Sequence, residues 1–168
     1  MSNETEVMRF RLARMSALIL GLTFALLALP VVFLVASFLG ATMLAVPGLL
    51  VMVGYAWIWL RFRPSQFIVH RGGLDVHWPL KCVRIPREGI SSVRMIDRQS
   101  LKQEIGWGVR VGAGGLWGGF GWLWTKRRGI VQMYVSRTDV FVWIERDGDR
   151  PWLITPEQPE DFVRALSW

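Results

Sequence analysis

The chain has 168 residues and a mass of 19.2 kDa, with 52% of residues hydrophobic and a mean hydropathy of +0.31. That is room for about one domain and an accessory segment, and it is too apolar for a disordered chain or an ordinary soluble domain. The formal charge of +7 calls for an anionic neighbour, and a lone Cys82 excludes an internal disulfide and suits a reducing compartment.

Taken in chain order, the charge is partitioned rather than dispersed. Residues 1–14 carry Arg9, Arg11 and Arg14 against Glu4 and Glu6, and residues 15–60 then contain no Asp, Glu, Lys or Arg. As one helix that run would reach roughly 69 Å at about 1.5 Å per residue, more than twice a hydrocarbon core of about 30 Å. It is therefore read as a transmembrane hairpin, with spans at about 16–35 and 43–60 and a tight uncharged turn between them. Pro30 and Pro47 predict a kink or a helix start, with Pro47-Gly48 marking the second helix. Gly21, Ala25 and Ala28 form a small-residue face, for packing or for lipid.

Arginine flanks both ends of the hairpin and is missing from its turn, so the positive-inside rule places both termini in the cytoplasm of a multi-pass inner-membrane protein. Expected membrane-interface anchors are Arg9, Arg11 and Arg14 before the spans and Tyr55, Trp57, Trp59, Arg61 and Arg63 at the inner end of the second. A cleaved secretory signal is rejected, because the apolar run continues with no polar cleavage region. Neither span holds an ionisable side chain, which makes the hairpin an anchor rather than an ion or proton path.

Residues 61–168 form the cytoplasmic domain, and they read as short strands followed by one helix. Strands are predicted at 66–70 and 74–78 around a Gly72-Gly73 turn, then near Val83 and Ile85, at 93–97, 131–135, 140–145 and 152–154. Thr155-Pro156-Glu157-Gln158 predicts a capped helix running to about Leu166, with Phe162, Val163 and Leu166 on its apolar stripe.

The segment from Gly106 interleaves glycine with Trp107, Trp117, Phe120, Trp122 and Trp124 and runs into Lys126-Arg127-Arg128. One reading is a flexible loop that dips its rings into a lipid interface and pairs its basic triplet with anionic headgroups. The other is that the rings fold back into the core, with the triplet a solvated turn. A third is a surface for a protein partner or a second copy. These eight residues are the candidate lipid or partner site. The glycines match neither nucleotide-binding motif, and no nucleic acid partner is expected.

Ile85-Pro86 leading into Ile90-Ser91-Ser92-Val93, the glycine-rich middle, and Leu153-Ile154-Thr155-Pro156-Glu157 running into Pro159-Glu160-Asp161-Phe162-Val163 together resemble the bacterial PH-like (pleckstrin-homology-like) domain family over residues 65–166. The resemblance implies an α+β chain whose antiparallel sandwich or barrel of about seven strands is capped by a C-terminal helix. It also implies a binding or assembly module rather than an enzyme. The middle segment is richer in glycine and tryptophan than that family leads one to expect.

His70, His77, Cys82 and Asp75 match no standard metal-ligand spacing, and the serines lack a nucleophile context. No residue is assigned to catalysis, a cofactor or a metal. The expected function is a membrane-anchored adaptor or scaffold that engages a protein partner or anionic lipid. The alternative is an accessory subunit of a larger membrane enzyme or transporter.

Overall fold

The computed structural model describes residues 7–167, so Glu4 and Glu6 lie outside the described residues. Its first strand precedes the apolar helices. β1 (Met8–Arg11) pairs antiparallel with β2 (Gln66–His70), with Phe10 opposite Phe67. Alternation turns Phe10 into the core and Arg9 and Arg11 outward. The N-terminal segment is therefore part of the folded domain, although four residues with two arginines are too short to announce a strand.

α1 (Ala17–Phe38) and α2 (Ala45–Phe62) are joined through a short 3-10 turn, Thr42–Leu44, and both are long and apolar enough to cross a membrane. Pro30 does not interrupt α1. Lacking an N–H, it leaves the Leu26 carbonyl one turn earlier without its helical donor, and the Tyr55 hydroxyl of α2 donates to that carbonyl at 3.1 Å. Pro47 falls in the first turn of α2, where no donor is needed. The helices close at Gly48, where a Cβ would meet Phe33 Cβ at 3.2 Å and Leu34 at 3.3 Å. Gly21, Ala25 and Ala28 are exposed, so the small-residue face does not close the hairpin.

Two sheets follow. The first has the order β1-β2-β3-β4, with β3 (Gly73–His77) and β4 (Cys82–Pro86). The second contains β5 (Ile90–Asp97), β6 (Gly108–Gly114), β7 (Gly119–Thr125), β8 (Gly129–Val135), β9 (Val140–Arg146) and β10 (Trp152–Ile154). Its order is β5-β9-β10-β8-β7-β6, antiparallel except for β10 beside β8. The described residues thus form ten strands in two sheets rather than a closed barrel. An isolated bridge from Leu12 to Pro156 ties the strand before α1 to the end of β10.

The inner faces share one core of Phe67, Val76, Phe120, Tyr134, Trp152 and Phe162. The last of these belongs to the C-terminal helix, numbered α4 below, which plugs the open end. There Phe162 packs edge-to-face on Phe10, with ring centroids 5.2 Å apart. The outer face of the second sheet is covered by α3 (Arg98–Ile105), whose Leu101 and Ile105 join Val131 and Trp143 in a second cluster.

Three expectations are corrected. α3 was not foreseen, although Asp97 caps it by accepting from the Ser100 N–H at 2.8 Å and the spacing of Leu101 and Ile105 is helical. The C-terminal helix, α4 (Pro159–Leu166), begins after Gln158 rather than at Thr155. Thr155 is instead buried between segments, where its hydroxyl accepts from the Ser136 N–H at 2.9 Å and its carbonyl accepts from the Ala13 N–H at 2.9 Å. Finally, the glycine and tryptophan segment is a β-hairpin, β6–β7, and not a flexible loop. Gly112 and Gly121 face each other at φ of 139° and 129°, and a Cβ on either would lie within 2.3 Å and 2.5 Å of the opposing strand's carbonyl oxygens. The glycines there allow the backbones to approach.

Candidate functional site

The predicted rings are divided by the alternation of β7. Opposed residues of antiparallel strands share a face, so Trp122 and Trp124 lie beside Val111 and Val109 of β6, and Trp124 lies beside Ile130 of β8. The same face carries Phe120 into the core, where it is fully buried. As a binding ring, Phe120 is therefore corrected to a core residue. Beyond it the first sheet no longer covers the second. Trp122 is 44% exposed, Trp124 63% and Trp107 75%, with Val109 and Val111 also exposed. The result is an uncovered apolar ridge along the outer two strands.

Trp117 sits in the β6–β7 turn, half-buried, in a left-handed conformation with φ of 58°. Its N–H donates to the Thr23 hydroxyl of α1 at 2.9 Å, and that hydroxyl shares its own proton between the carbonyls of Ile19 at 2.8 Å and Gly115 at 3.0 Å. Its ring packs edge-to-face on Trp59 of α2, 4.7 Å between centroids, and the Arg63 guanidinium lies over the Trp59 ring, 4.2 Å from its centroid. The turn is thus clamped to both apolar helices. Thr23 is a residue the sequence did not single out: one threonine among aliphatic residues reads as filler until its partners are seen.

The anchors expected at the inner end of α2 are partly reassigned. Tyr55 serves the Leu26 carbonyl, Trp59 serves the clamp, and Trp57 remains 57% exposed. Trp57 and Arg61 line a cleft with Lys81, Trp122 and Gln132, so the ridge is continuous with the helix end. Arg11 and Arg14 are exposed near the start of α1, and Arg14 lines a second cleft with Arg137 and Asp139.

The basic triplet lies on the β7–β8 turn, and two of its members are engaged. The Arg127 guanidinium donates to the Gln103 carbonyl at 2.5 Å, and Arg128 pairs with Glu104, which also holds Arg94. Burial works to raise the Glu104 carboxyl, but the hydrogen bonds from Arg94 and Arg128 outweigh it and hold the group below its ordinary range. Arg127 and Arg128 therefore tie α3 to the sheet while staying exposed, as Lys126 is.

A groove of about 740 Å³ was not foreseen. Met8, Phe10 and Val69 supply its apolar lining between β1 and α4, and Arg9, Arg71, Arg164 and Asp161 line it as well. Arg164 is also paired with Asp161 at 3.4 Å. Arg9 is thereby placed in a groove toward the β2–β3 turn rather than at the helix ends. No sequence spacing links the three arginines, because three separate elements bring them together.

The histidines and their neighbours divide into two pairs. His70 faces Asp75 at 3.4 Å, and His77 faces Cys82 at 3.5 Å near the other end of the hairpin. Arg84 closes on Asp75 with two hydrogen bonds of 2.9 and 3.1 Å and draws its carboxyl below the ordinary range. Among the described residues, no three His, Cys, Asp or Glu side chains gather in a metal-binding group.

Comparison with known proteins agrees with this architecture. A family model described as "Bacterial PH domain" matches residues 65–167, which leaves β1 and both apolar helices outside the match. No curated protein and no solved structure matches the chain.

Proposed function

The chain belongs to the bacterial PH domain family, and from that premise we propose that it is a membrane-anchored binding module, an adaptor or scaffold at the cytoplasmic face of the inner membrane. The observation that carries this reading is the pairing of β1 with β2. The strand before the apolar hairpin lies beside the strand after it, so both ends of the hairpin return to one domain. Arg11 and Arg14 precede the hairpin and Arg61 and Arg63 follow it, while no Lys or Arg lies at the hairpin turn, which supports a cytoplasmic domain.

Binding rather than turnover is favoured by the groove. Its three arginines and apolar lining suit an acidic protein segment, because such a segment supplies carboxylates for the arginines and side chains for the apolar lining. The same groove favours the second reading, an accessory subunit held to a larger membrane enzyme or transporter by such a contact.

Fusing reporter enzymes to the C-terminus tests the placement: a cytoplasm-dependent reporter is expected to be active, and activity of a periplasm-dependent reporter alone overturns it. Mild detergent extraction followed by native mass measurement separates the two roles. A stoichiometric non-self partner supports the subunit, and a self-only oligomer supports the scaffold.

A further inference from the structure

We propose that the outer two strands of the second sheet, β6 and β7, are immersed in the bilayer interface as a third membrane element beside the two helices. This rests on the reading of α1 and α2 as membrane spans. It adds that lipid is the occupant of the Trp107, Trp122 and Trp124 ridge.

The first argument is reach. The β6–β7 turn climbs α1 as far as Leu26, whose Cδ1 would stand 3.0 Å from a Cβ at Gly115. Beyond that level α1 continues only to Phe38, about 18 Å at about 1.5 Å per residue. From Tyr55, which bonds Leu26, α2 runs back to Ala45 over about 15 Å. The short 3-10 turn adds roughly 6 Å. A hydrocarbon core is about 30 Å thick, so the free part of the hairpin falls short by about 10 Å. Ten ångströms is about the width of two strands at about 4.8 Å spacing.

Orientation agrees. Along α1 the second sheet is met strand by strand: Ser136, just past β8, accepts from the Ser16 N–H at 3.1 Å, whereas Gly115 and Trp117 meet Thr23, about 10 Å further along the helix. The sheet therefore rises along the helix axis with β6 as its leading edge. Meanwhile Trp117 touches Trp59 and Trp122 shares a cleft with Trp57. Trp57, Trp59 and Arg61 lie within about 6 Å of one another along α2, so the turn and β7 meet the same short section of the helix. β7 therefore stays beside the inner end of α2 rather than turning away from it.

Chemistry completes the case. The uncovered face at that level offers Val109, Val111, Trp122 and Trp124, continuous with exposed Trp57. Amphipathic indoles favour the headgroup layer, and Val side chains favour the acyl boundary. This placement requires water at the outer edge of β6, whose free backbone groups lipid cannot satisfy.

The test uses the full chain in vesicles of mixed zwitterionic and anionic lipid, with Cys82→Ser as background. Nitroxide labels are placed singly at Val111→Cys and Trp124→Cys, at Val53→Cys on α2 and at Ser91→Cys on β5. Accessibility to oxygen is compared with accessibility to a water-soluble nickel chelate. The expected result is an oxygen-to-nickel ratio at Val111 and Trp124 several-fold above that at Ser91 and comparable with Val53. Ridge labels that resemble Ser91 while Val53 stays lipid-like overturn the proposal and leave the anchor standing. Ridge labels shielded from both reagents overturn it in favour of a protein cover. A Val53 label resembling Ser91 overturns both. As a second measurement without new cysteines, brominated lipid is expected to quench a fraction of tryptophan emission that Trp107→Phe, Trp122→Phe and Trp124→Phe together remove, and an unchanged quenched fraction counts against the ridge.

Discussion

Tyr55 illustrates how one hydroxyl decides whether a proline is tolerated. Pro30 deprives the Leu26 carbonyl of its donor inside an apolar helix, and Tyr55 supplies the replacement at 3.1 Å. Tyr55→Phe keeps the ring and removes the donor. Leaving that carbonyl unpaired in a dry environment is expected to cost about 1–3 kcal/mol, read as a lower thermal midpoint of the detergent-solubilised protein. An unchanged midpoint would show that the carbonyl finds another donor. Three carboxylates set a pH dependence of opposite origin. Asp75 and Glu104 lie below their ordinary values, and Asp139, hydrogen-bonded by Arg137, is lowered from 3.8 to about 2. Each folded-state value lies below the unfolded one, so the unfolded chain takes up protons first as pH falls. The stability these groups confer is present above the ordinary carboxylate range and drains away below it, for Asp139 between 3.8 and about 2. Melting at stepped pH is expected to give midpoints that fall below about pH 4, and a flatter curve for Asp75→Asn, Glu104→Gln and Asp139→Asn combined.

Among the elements, the β6–β7 hairpin is the one whose placement depends on another element. Its turn carries the left-handed Trp117, a conformation that costs of order 1–3 kcal/mol in a non-glycine residue and persists only when its surroundings hold it. Thr23 holds it, by accepting from Trp117 and donating toward Gly115. Thr23→Val keeps the shape and leaves the Trp117 N–H without its acceptor, an expected loss of about 1–3 kcal/mol. The specific readout is limited proteolysis of the detergent-solubilised protein within residues 114–119, which is expected to accelerate while cleavage elsewhere is unchanged. Uniform acceleration along the chain would instead mean a general loss of stability. Glycine density argues against a helix, but it is equally compatible with a loop and with two strands in close approach. The Gly112–Gly121 pairing resolves that ambiguity only once both strands are in place.

Across the whole molecule, the chain leaves its first sheet after β1, makes the apolar hairpin and returns to complete the same sheet. The sequence-matched region begins at residue 65 and lacks β1, although Phe10 lies within the core it helps to close. Residues 63–168 alone are therefore expected to be poorly folded and aggregation-prone, with Phe67, Val69 and an open strand edge uncovered. Joining residues 7–13 to residue 63 through a glycine-serine linker is expected to restore a soluble, cooperatively melting domain. Phe10→Ala in that fusion is expected to cost about 3–5 kcal/mol. Equal stability with and without β1 would make the strand dispensable.

What the sequence by itself determined is what local pattern controls. The uncharged residues 15–60 imply two long apolar helices, the alternation through Leu74, Val76 and Trp78 implies a strand, and Phe162 with Leu166 implies a terminal amphipathic helix. Each signal repeats within a few residues, so neighbouring side chains suffice to read it. Only the tertiary structure decided which rings are core and which form the ridge, because Phe120, Trp122 and Trp124 share one face of β7 and differ only in how far the first sheet extends over them. It likewise decided that Arg128 meets Glu104, that Arg9 joins Arg71 and Arg164, and that Thr23 holds Trp117. Partners so far apart in the chain leave no periodic trace, since their proximity is produced by packing the whole sandwich against the hairpin.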